Sequence, residues 1–377
     1  MTRRVLSLVA PLCACLAACS EEEEPAWELP EIVASSQYID YATWADTAAV
    51  CMDAKLEKWD QYIEQSAGFL GVAPPDEKTR YVWVPRRSEE PERWGCSETA
   101  SGCYAVSDSL IFVRYPEMLH ELAHAVEISA LGRAHNILEE GMAELLSETM
   151  HAFFALDDFP EMFRDVVESG ERLAGPEEYG LAMHFVGSVV RRHGMVKYRE
   201  FREVLPHDGR VPEFAAAYEA VFGEDFVEAV EAMNAQPVTG LQITPGCVDD
   251  PTLETIPVAG SLTARVDGVC GDPHFHGFGF EAPIPGFEKQ FVLDVEAAGD
   301  YELTVRGPHL DAGPLMVQLE SCSQTEFVYM HVEAGNPDWD LGYGRLHAGR
   351  YSLRVYYPPR AEAVGEAEIK LELRNPI

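Results

Sequence analysis

The seven residues from Leu119 to Ala125 constrain this chain more than any other stretch. They contain His120, Glu121 and His124 in the pattern H-E-x-x-H. Residues four apart lie on one face of a helix, so the two histidines can present two imidazoles to one metal ion while Glu121 flanks it. Two imidazoles and one carboxylate suit zinc and leave a fourth position for water, whose pKa the metal lowers to about 7. The pattern therefore predicts a zinc site on a helix.

An amphipathic helix with two buried histidines could show the same five residues by chance. The neighbouring residues favour the metal, because they are uncharged and no proline interrupts them: Met118, Leu119, Leu122, Ala123, Ala125 and Val126. A catalytic zinc site still lacks one protein donor, which has to come from a second segment.

Three acids in the next predicted helix could supply that donor: Glu139, Glu140 and Glu144. Glu139 and Glu140 point about 100° apart on a helix, so only one of them can share a face with Glu144. Glu140 and Glu144 are that pair. Helical geometry does not decide which of the two binds the metal.

The N-terminus has the features of an export signal. Arg3 and Arg4 precede an apolar run, residues 5–16, that is too short to span a bilayer. Residues 16–19, with the sequence L-A-A-C, resemble the bacterial lipobox, which implies lipidation of Cys19 and, with Ser20 next to it, sorting to the outer membrane. A plain secretory signal cut near Ala18 is the alternative. We expect a signal at residues 1–19 and an acidic tether at residues 20–35.

The chain is strongly acidic, with 64 Asp and Glu against 28 Lys and Arg and a formal net charge of −36. Such a charge argues against nucleic acid and anionic membrane surfaces as partners. Beyond the signal, no other stretch is apolar for long enough to predict a membrane span. The expected membrane contact is the lipid anchor alone.

Cysteine usage favours disulfides. Six cysteines remain after the signal, an even number in a chain that we expect to be exported: Cys51, Cys96, Cys103, Cys247, Cys270 and Cys322. They divide three and three between the halves of the chain, so either one bridge crosses between the halves or each half keeps a free thiol. Cys96 and Cys103 flank a Ser/Gly-rich segment, and we favour that pair.

The first part of the chain, residues 36–236, is predicted to be mainly helical with a small sheet. Helical periodicity covers residues 45–68, 137–154, 179–193 and 211–234, the last broken at Gly223. Strands are predicted at residues 81–84 and 109–113. The second strand either forms the edge that pairs with an extended substrate, as in zinc peptidases, or lies in the core.

Beyond residue 250 the pattern changes to short apolar runs separated by Gly, Pro and Asp. The strands predicted at residues 291–295, 301–305, 316–319 and 351–355 are typical of an antiparallel β-sandwich at residues 250–377. The phrases A-G-D-Y and A-G-R-Y, at residues 298–301 and 348–351, resemble C-terminal β-sandwich modules of secreted bacterial peptidases. His274 and His276 could form a second metal pair, although surface histidines without a site are the simpler interpretation.

Together, H-E-x-x-H and the sequence L-E-E-G-M-A-E at residues 138–144 resemble the gluzincin metallopeptidases of the peptidase MA-like group. The phrase E-G-x-A is similar to the second zinc motif of aminopeptidases in that clan. The chain departs from them in two ways: only fifteen residues separate His124 from Glu140, a shorter spacing, and the motif that would hold a substrate amine is missing. The resemblance therefore implies an endopeptidase.

The resemblance also assigns roles to residues. In thermolysin-like enzymes a carboxylate four residues after the ligand glutamate supports a ligand histidine, which implies zinc bound by His120, His124 and Glu140 with Glu144 behind them. Counted from His124, Glu144 instead falls at the thermolysin ligand distance, so the two roles could be exchanged. Glu121 would activate water. A downstream His or Tyr would stabilise the oxyanion, and the candidates are His184 and Tyr179, although both could simply pack their helix.

The sequence thus predicts an α+β multidomain protein in which a mainly helical, zincin-like catalytic domain with a small sheet precedes an antiparallel β-sandwich. The expected activity is zinc-dependent hydrolysis of peptide or protein substrates by a lipoprotein of the bacterial cell envelope, anchored in the outer membrane. The alternative is a zinc-stabilised surface binding lipoprotein without useful turnover.

Overall fold

The computed structural model describes residues 29–44, 52–84, 101–114, 118–147, 158–170, 172–173, 175–234, 254–266, 275–277, 287–306, 315–322, 329–334, 341–357 and 367–376. The described residues form an α+β protein. Several predicted features lie outside them: the signal with Cys19, most of the acidic tether, the cysteines 51, 96, 247 and 270, and His274. None of the described helices is long and apolar enough to cross a membrane.

The first part of the chain contains five strands and seven helices among the described residues. The strands are β1 (Ile32–Ser35), β2 (Ile39–Thr43), β3 (Thr79–Trp83), β4 (Gly102–Ala105) and β5 (Leu110–Val113). The helices are α1 (Met52–Leu70), α2 (Leu119–Leu131), α3 (Asn136–Leu146), α4 (Phe159–Ser169), α5 (Pro176–Val204), α6 (Val211–Phe222) and α7 (Phe226–Asn234). A 3-10 turn at Val106–Asp108 joins β4 to β5.

The five strands form one mixed sheet in the order β1-β2-β3-β5-β4. The three central strands run parallel, and β1 and β4 pair antiparallel at the two edges. Ile111 and Val113 of β5 face the large core that the helices share, whereas Leu110 and Phe112 face a smaller apolar cluster on the other side. A strand buried on both faces needs a continuous apolar run, which explains the sequence L-I-F-V.

The helices pack around the metal-site residues. The main core joins α1, α2, α3, α5 and the later helices, and α2 is buried along most of its length. Helix α5 changes direction at Gly194, whose φ of 82° lies in the region that glycine tolerates. The segment after Gly194 is thereby directed along the C-terminal end of α2, where Arg202 contacts the Leu131 and Gly132 carbonyls.

The later part of the chain is built from strands: β6 (Thr255–Val258), β7 (Ser261–Val266), β8 (Phe275–Gly277), β9 (Phe287–Val295), β10 (Gly299–Arg306), β11 (Leu315–Ser321), β12 (Tyr329–Ala334), β13 (Leu341–Leu346), β14 (Gly349–Tyr357) and β15 (Ala367–Pro376). They form a four-stranded sheet, β13-β10-β15-β7, and a six-stranded sheet, β12-β11-β14-β9-β6 with β8 also paired to β9. Side chains of both sheets contribute to one hydrophobic core. Along β10 buried and less buried residues alternate, as expected for a strand with one face inward.

Most predicted elements are present in the structure, with shifted ends. All four strands predicted after residue 250 lie within β9, β10, β11 and β14, and Gly223 ends α6 as predicted. The predicted helix at residues 137–154 ends earlier, because Ser147 has an extended backbone. Pairing of β6 with β9 is parallel, so the second sheet is mixed and not wholly antiparallel.

One strand assignment needs correction, and one open alternative is decided. Residues 32–35, assigned to the acidic tether, form β1, because the β-branched pair Ile32 and Val33 favours pairing with β2. The strand predicted at residues 109–113, for which edge and core positions were both open, is β5 and lies between β3 and β4, so the core alternative is confirmed. Cys103 and Cys322 are both disulfide-bonded. The pairing of Cys103 with Cys96 stays a prediction, because Cys96 lies outside the described residues.

His135 begins α3 and couples its start to a distant loop. Its Nδ1 accepts a hydrogen bond from the Ile137 backbone N–H at 3.2 Å, and its Nε2 donates to the Gly209 carbonyl at 3.1 Å. These contacts require the neutral ring, because protonation would place a hydrogen on Nδ1 and remove the helix cap. Burial lowers the pKa of His135 to about 4.

We predict that His135→Asn makes stability less sensitive to acid. In the parent, the unfolded chain binds a proton near its normal pKa while the folded chain resists it, so stability falls as pH drops from about 6.5 to about 4, by up to about 3 kcal/mol. Asn can still cap α3 but cannot be protonated. Urea unfolding of both proteins across this pH range measures the difference. Equal pH slopes would contradict the assignment of His135 as the titrating cap.

Candidate metal centre

Helix α2 brings the two histidines of H-E-x-x-H together. His120 and His124 lie on one helical face, their ring centroids are 4.6 Å apart, and their Nε2 atoms are 3.0 Å apart. Both side chains are buried. The start of α2 is held by the Tyr81 hydroxyl of β3, which accepts a hydrogen bond from the Met118 N–H at 2.9 Å. The sheet therefore sets the position from which both imidazoles project.

Helix α3 supplies the third donor. Glu140 Oε2 lies 3.0 Å from His120 Nε2 and 3.2 Å from His124 Nε2. The glycine beside it, Gly141, allows α3 to approach α5 closely, because a Cβ at this position would collide with the Ala182 carbonyl group and the Val186 side chain. The glycine of the E-G-x-A phrase thus has a packing role that places Glu140 at the histidines.

These three donor atoms have the spacing of a zinc site. Their mutual distances are 3.0, 3.0 and 3.2 Å. Three donors at tetrahedral angles and about 2.0–2.1 Å from zinc would be separated by roughly 3.3 Å. His120, His124 and Glu140 are the only group of this kind among the described residues. Two imidazoles and one carboxylate this close together fit a divalent cation.

The other two acids of α3 have different surroundings. Glu144 Oε1 lies 2.9 Å from His120 Nδ1, on the outer side of the ring, and Glu144 is 1% exposed. A carboxylate in that position orients a ligand imidazole and increases its basicity. Glu139 points elsewhere: it contacts Arg133 Nη1 at 2.9 Å and accepts a hydrogen bond from the Ala134 N–H. The structure therefore places Glu140, and not Glu139 or Glu144, at both Nε2 atoms.

Electrostatics at the site favour bound positive charge. Burial lowers the pKa of His120, but contacts with Glu140 and Glu144 outweigh it and the net shift is upward. The pKa of His124 is raised in the same way, chiefly by Glu140 against the effect of burial. Burial tends to raise the pKa of Glu140, yet the two imidazoles hold it well below its usual range. Glu140 is thus ionised, as a metal ligand must be, and metal and protons compete for the histidines.

Glu121 lies beside the donor atoms, on the side that faces strand β4. Its side chain is 5% exposed, and burial is the main cause that raises its pKa. It packs on Gly102 of β4: a Cβ at residue 102 would lie 2.8 Å from both Cγ and Oε1 of Glu121 and 3.0 Å from Met118 Sδ. The side chain of Glu121 thus occupies the space that a larger residue 102 would need.

The structure places the two oxyanion candidates differently. Tyr179, at the start of α5, has its ring 5.9 Å from that of His120 at an angle of 69°. Burial, followed by the nearby carboxylates, raises its pKa, so its hydroxyl remains a neutral donor. His184 instead donates from Nε2 to the Met233 carbonyl at 3.0 Å and packs edge-on against Phe159. These contacts of His184 are those of helix packing, the alternative that the sequence left open for it, and they do not include the donor atoms.

Strand β4 and Gly102 were missed by the sequence analysis. The sequence of β4, G-C-Y-A, does not alternate between apolar and polar residues, which is the pattern that identifies a half-buried strand. A glycine followed by a disulfide-bonded Cys103 gave no strand signal. The available signal was the short spacing between Gly102 and β5, which suits an antiparallel pair joined by a tight turn.

Comparisons with known proteins add little to this geometry. No protein-family model matches the chain, and no curated protein matches it. Among solved structures, it is similar to the pre-peptidase C-terminal domain of a collagenase from Bacillus anthracis (15% identity, 32% of this chain and 96% of that chain, TM-score 0.21). It is also similar to PliG from Aeromonas hydrophila, a periplasmic inhibitor of g-type lysozyme (12% identity, 32% of this chain and 97% of that chain, TM-score 0.21). A third similar structure is CsCBM6-3 from Clostridium stercorarium, solved with cellobiose (10% identity, 32% of this chain and 97% of that chain, TM-score 0.17). Likenesses this weak support no conclusion on fold or function.

We predict that Glu140→Ala abolishes tight zinc binding, whereas Glu144→Ala weakens it by roughly 10- to 100-fold. The first change removes a donor atom and the second removes only the support of His120. Competition with a chromophoric chelator measures both affinities. Glu161→Ala, at an exposed acid in the first turn of α4, is the control and should bind zinc like the parent. A larger loss of zinc affinity in Glu144→Ala than in Glu140→Ala would instead make Glu144 the ligand and Glu140 its support.

Proposed function

We propose that this chain is a zinc-dependent peptidase of the gluzincin type, in which His120, His124 and Glu140 hold the metal and Glu121 is the general base. The observation that carries the proposal is the convergence of the three donor atoms within 3.0–3.2 Å, with a buried carboxylate one residue after His120. Zinc, when bound, would acidify a water molecule and polarise the scissile carbonyl.

Glu121 is suited to moving protons. Its pKa is raised by burial, and a carboxyl group whose pKa lies nearer to neutrality can accept a proton from the attacking water and return it to the leaving amine. Glu121 lies outside the donor triangle, on the Gly102 side. The Tyr179 hydroxyl, neutral because its pKa is raised, is the candidate donor to the oxyanion that develops on the substrate.

Strand β4 is the candidate position for an extended substrate. Among the strands that the structure describes it lies at the edge of its sheet and pairs with β5 alone, and its Gly102 contacts Glu121. A peptide added to this edge would gain main-chain hydrogen bonds that depend little on its sequence. Residue 102 would place the substrate backbone beside the general base. This arrangement supports an endopeptidase acting on peptide or protein segments in extended form.

The remaining parts of the proposal concern the whole chain. We infer that the first part is a zincin-like catalytic domain and that the two later sheets, with their shared core, form a β-sandwich module. Lipidation of Cys19 would anchor the protein to the outer membrane of a bacterial envelope. The decisive experiment for the activity is a peptide-library cleavage profile of the mature protein with and without a zinc chelator.

We predict that Glu121→Gln keeps zinc affinity within a few fold of the parent and lowers the turnover number by roughly 10²- to 10⁴-fold, because the amide cannot accept the proton. Glu57→Gln, an exposed carboxylate on α1, is the control. A Glu121→Gln protein as active as the parent would contradict the enzyme proposal. A zinc-loaded but inactive parent would favour the alternative of a zinc-stabilised binding lipoprotein.

We also predict that Gly102→Ala lowers turnover and leaves zinc affinity unchanged. The added methyl group would displace the flexible end of Glu121, which the fold tolerates, but none of the three donor atoms. Gly68→Ala on α1 is the control, since a Cβ there meets nothing within 4 Å. Steady-state kinetics and chelator competition measure the two effects. Unchanged turnover in Gly102→Ala would show that the activity of Glu121 does not depend on the space that Gly102 leaves for its side chain.

A further inference from the structure

A buried charged cluster lies behind the metal site and takes no part in the proposed chemistry. It consists of Glu127 on α2, Glu139 on α3 and Arg202 on α5, which are 0%, 4% and 5% exposed. Arg202 Nε lies 3.1 Å from Glu127 Oε1, and Arg202 Nη2 lies 4.0 Å from Glu139 Oε1. One guanidinium therefore faces carboxylates of both helices that supply metal donors.

Arg202 also binds the end of α2. Its Nη1 donates to the Leu131 carbonyl at 3.3 Å and its Nη2 to the Gly132 carbonyl at 2.7 Å. The last carbonyls of a helix have no partner within it and carry partial negative charge, so a cation there is favourable. Only the planar fork of arginine can reach Glu127 and both carbonyls in one geometry, because lysine has a single nitrogen.

A tyrosine four residues earlier on α5 strengthens the same bridge. The Tyr198 hydroxyl donates to the Leu138 carbonyl of α3 at 3.0 Å and lies 3.5 Å from Glu127 Oε1 of α2. Leu138 is two residues before Glu140, and Glu127 is three residues after His124. The segment of α5 that follows Gly194 thus contacts α2 and α3 within one turn of the metal donors.

The metal site is sensitive to the spacing that this bridge sets. Metal–ligand distances in a competent site vary by only about 0.2 Å, and α2 and α3 supply two donors and one donor respectively. The Tyr62 hydroxyl of α1 contacts the Leu119 carbonyl at 3.2 Å and the Leu146 carbonyl at 3.1 Å, at the other end of the pair. Arg202 and Tyr198 thus provide polar links between the helices at the end that carries Glu127 and Glu139, and only Arg202 supplies a positive charge to both carboxylates.

We propose that Arg202 is a positioning residue for the metal, which fixes α2 and α3 at the separation that keeps His120, His124 and Glu140 around one ion. It does not contact the donor atoms. This inference rests on the metal site of the proposed function but not on hydrolysis. Its test can therefore use metal binding alone.

The test compares the full-length parent with four variants by chelator competition for zinc and by the visible absorption of bound Co²⁺. We expect Arg202→Met to bind zinc roughly 10- to 100-fold more weakly and to change the Co²⁺ spectrum, with Arg202→Lys between it and the parent. Arg199→Met is the matched control: Arg199 is also on α5, but it caps α1 through the Leu70 and Gly71 carbonyls at 3.3 and 2.9 Å. Its affinity and spectrum should equal those of the parent.

Removing Arg202 alone leaves Glu127 buried without its cation, which could prevent folding. The double variant Glu127→Gln, Arg202→Met removes both charges together and should fold while still binding zinc more weakly. Parent-like affinity in either folded variant, or an equal loss in Arg199→Met, would overturn the positioning role alone. A parent that binds no zinc would overturn the metal site itself, and with it the proposed function.

Discussion

The antiparallel pairing of α2 and α3 is the constraint on which the rest of the site depends. Two donors come from one helix and the third from the other, so their separation decides whether one ion can reach all three. Side chains from α1 and α5 hold this separation at both ends, Tyr62 at one and Tyr198 with Arg202 at the other. Gly141 adds a close contact between α3 and α5. These contacts position the helices that carry the donors without involving the donor atoms themselves.

Burying so many charged groups is costly unless each is compensated. Around the donors the carboxylates of Glu121, Glu140 and Glu144 outnumber the two imidazoles, which explains why both histidine pKa values are raised. A divalent cation would neutralise this excess and displace the protons. Binding to the folded chain alone would also stabilise it, by about 4 kcal/mol when the free metal exceeds its dissociation constant a thousandfold. Metal binding at these donors would therefore be coupled to folding.

Local patterns in the sequence were sufficient for part of this structure. The four-residue spacing of His120 and His124 and the helical angle between Glu139 and Glu140 depend only on α-helical geometry, and the structure shows each of these residues where that geometry places it. The strands after residue 250 likewise followed from alternation. The sequence was insufficient where tertiary pairing decides: β1 was assigned to a tether, and the choice between edge and core stayed open for β5. Whether a strand lies at the edge or in the centre is a property of the whole sheet, and a short segment of sequence does not contain that information.

The two oxyanion candidates, Tyr179 and His184, show the same limit on a helix. Tyr179 and His184 are five residues apart on α5, and helical geometry separates them by about 140° around the axis. Both could not face the metal helices, but the sequence alone does not say which does. The structure decides it through partners far along the chain, since His184 bonds to Met233 of α7 while Tyr179 meets His120 of α2. The same reasoning applies to Arg202. The positioning role that we propose for it cannot be predicted from its own segment, because it depends on the contacts of Arg202 with α2 and α3. The donors of such a site can therefore be predicted from short sequence patterns, whereas the residues that fix the distance between the donor helices depend on contacts far apart in the chain.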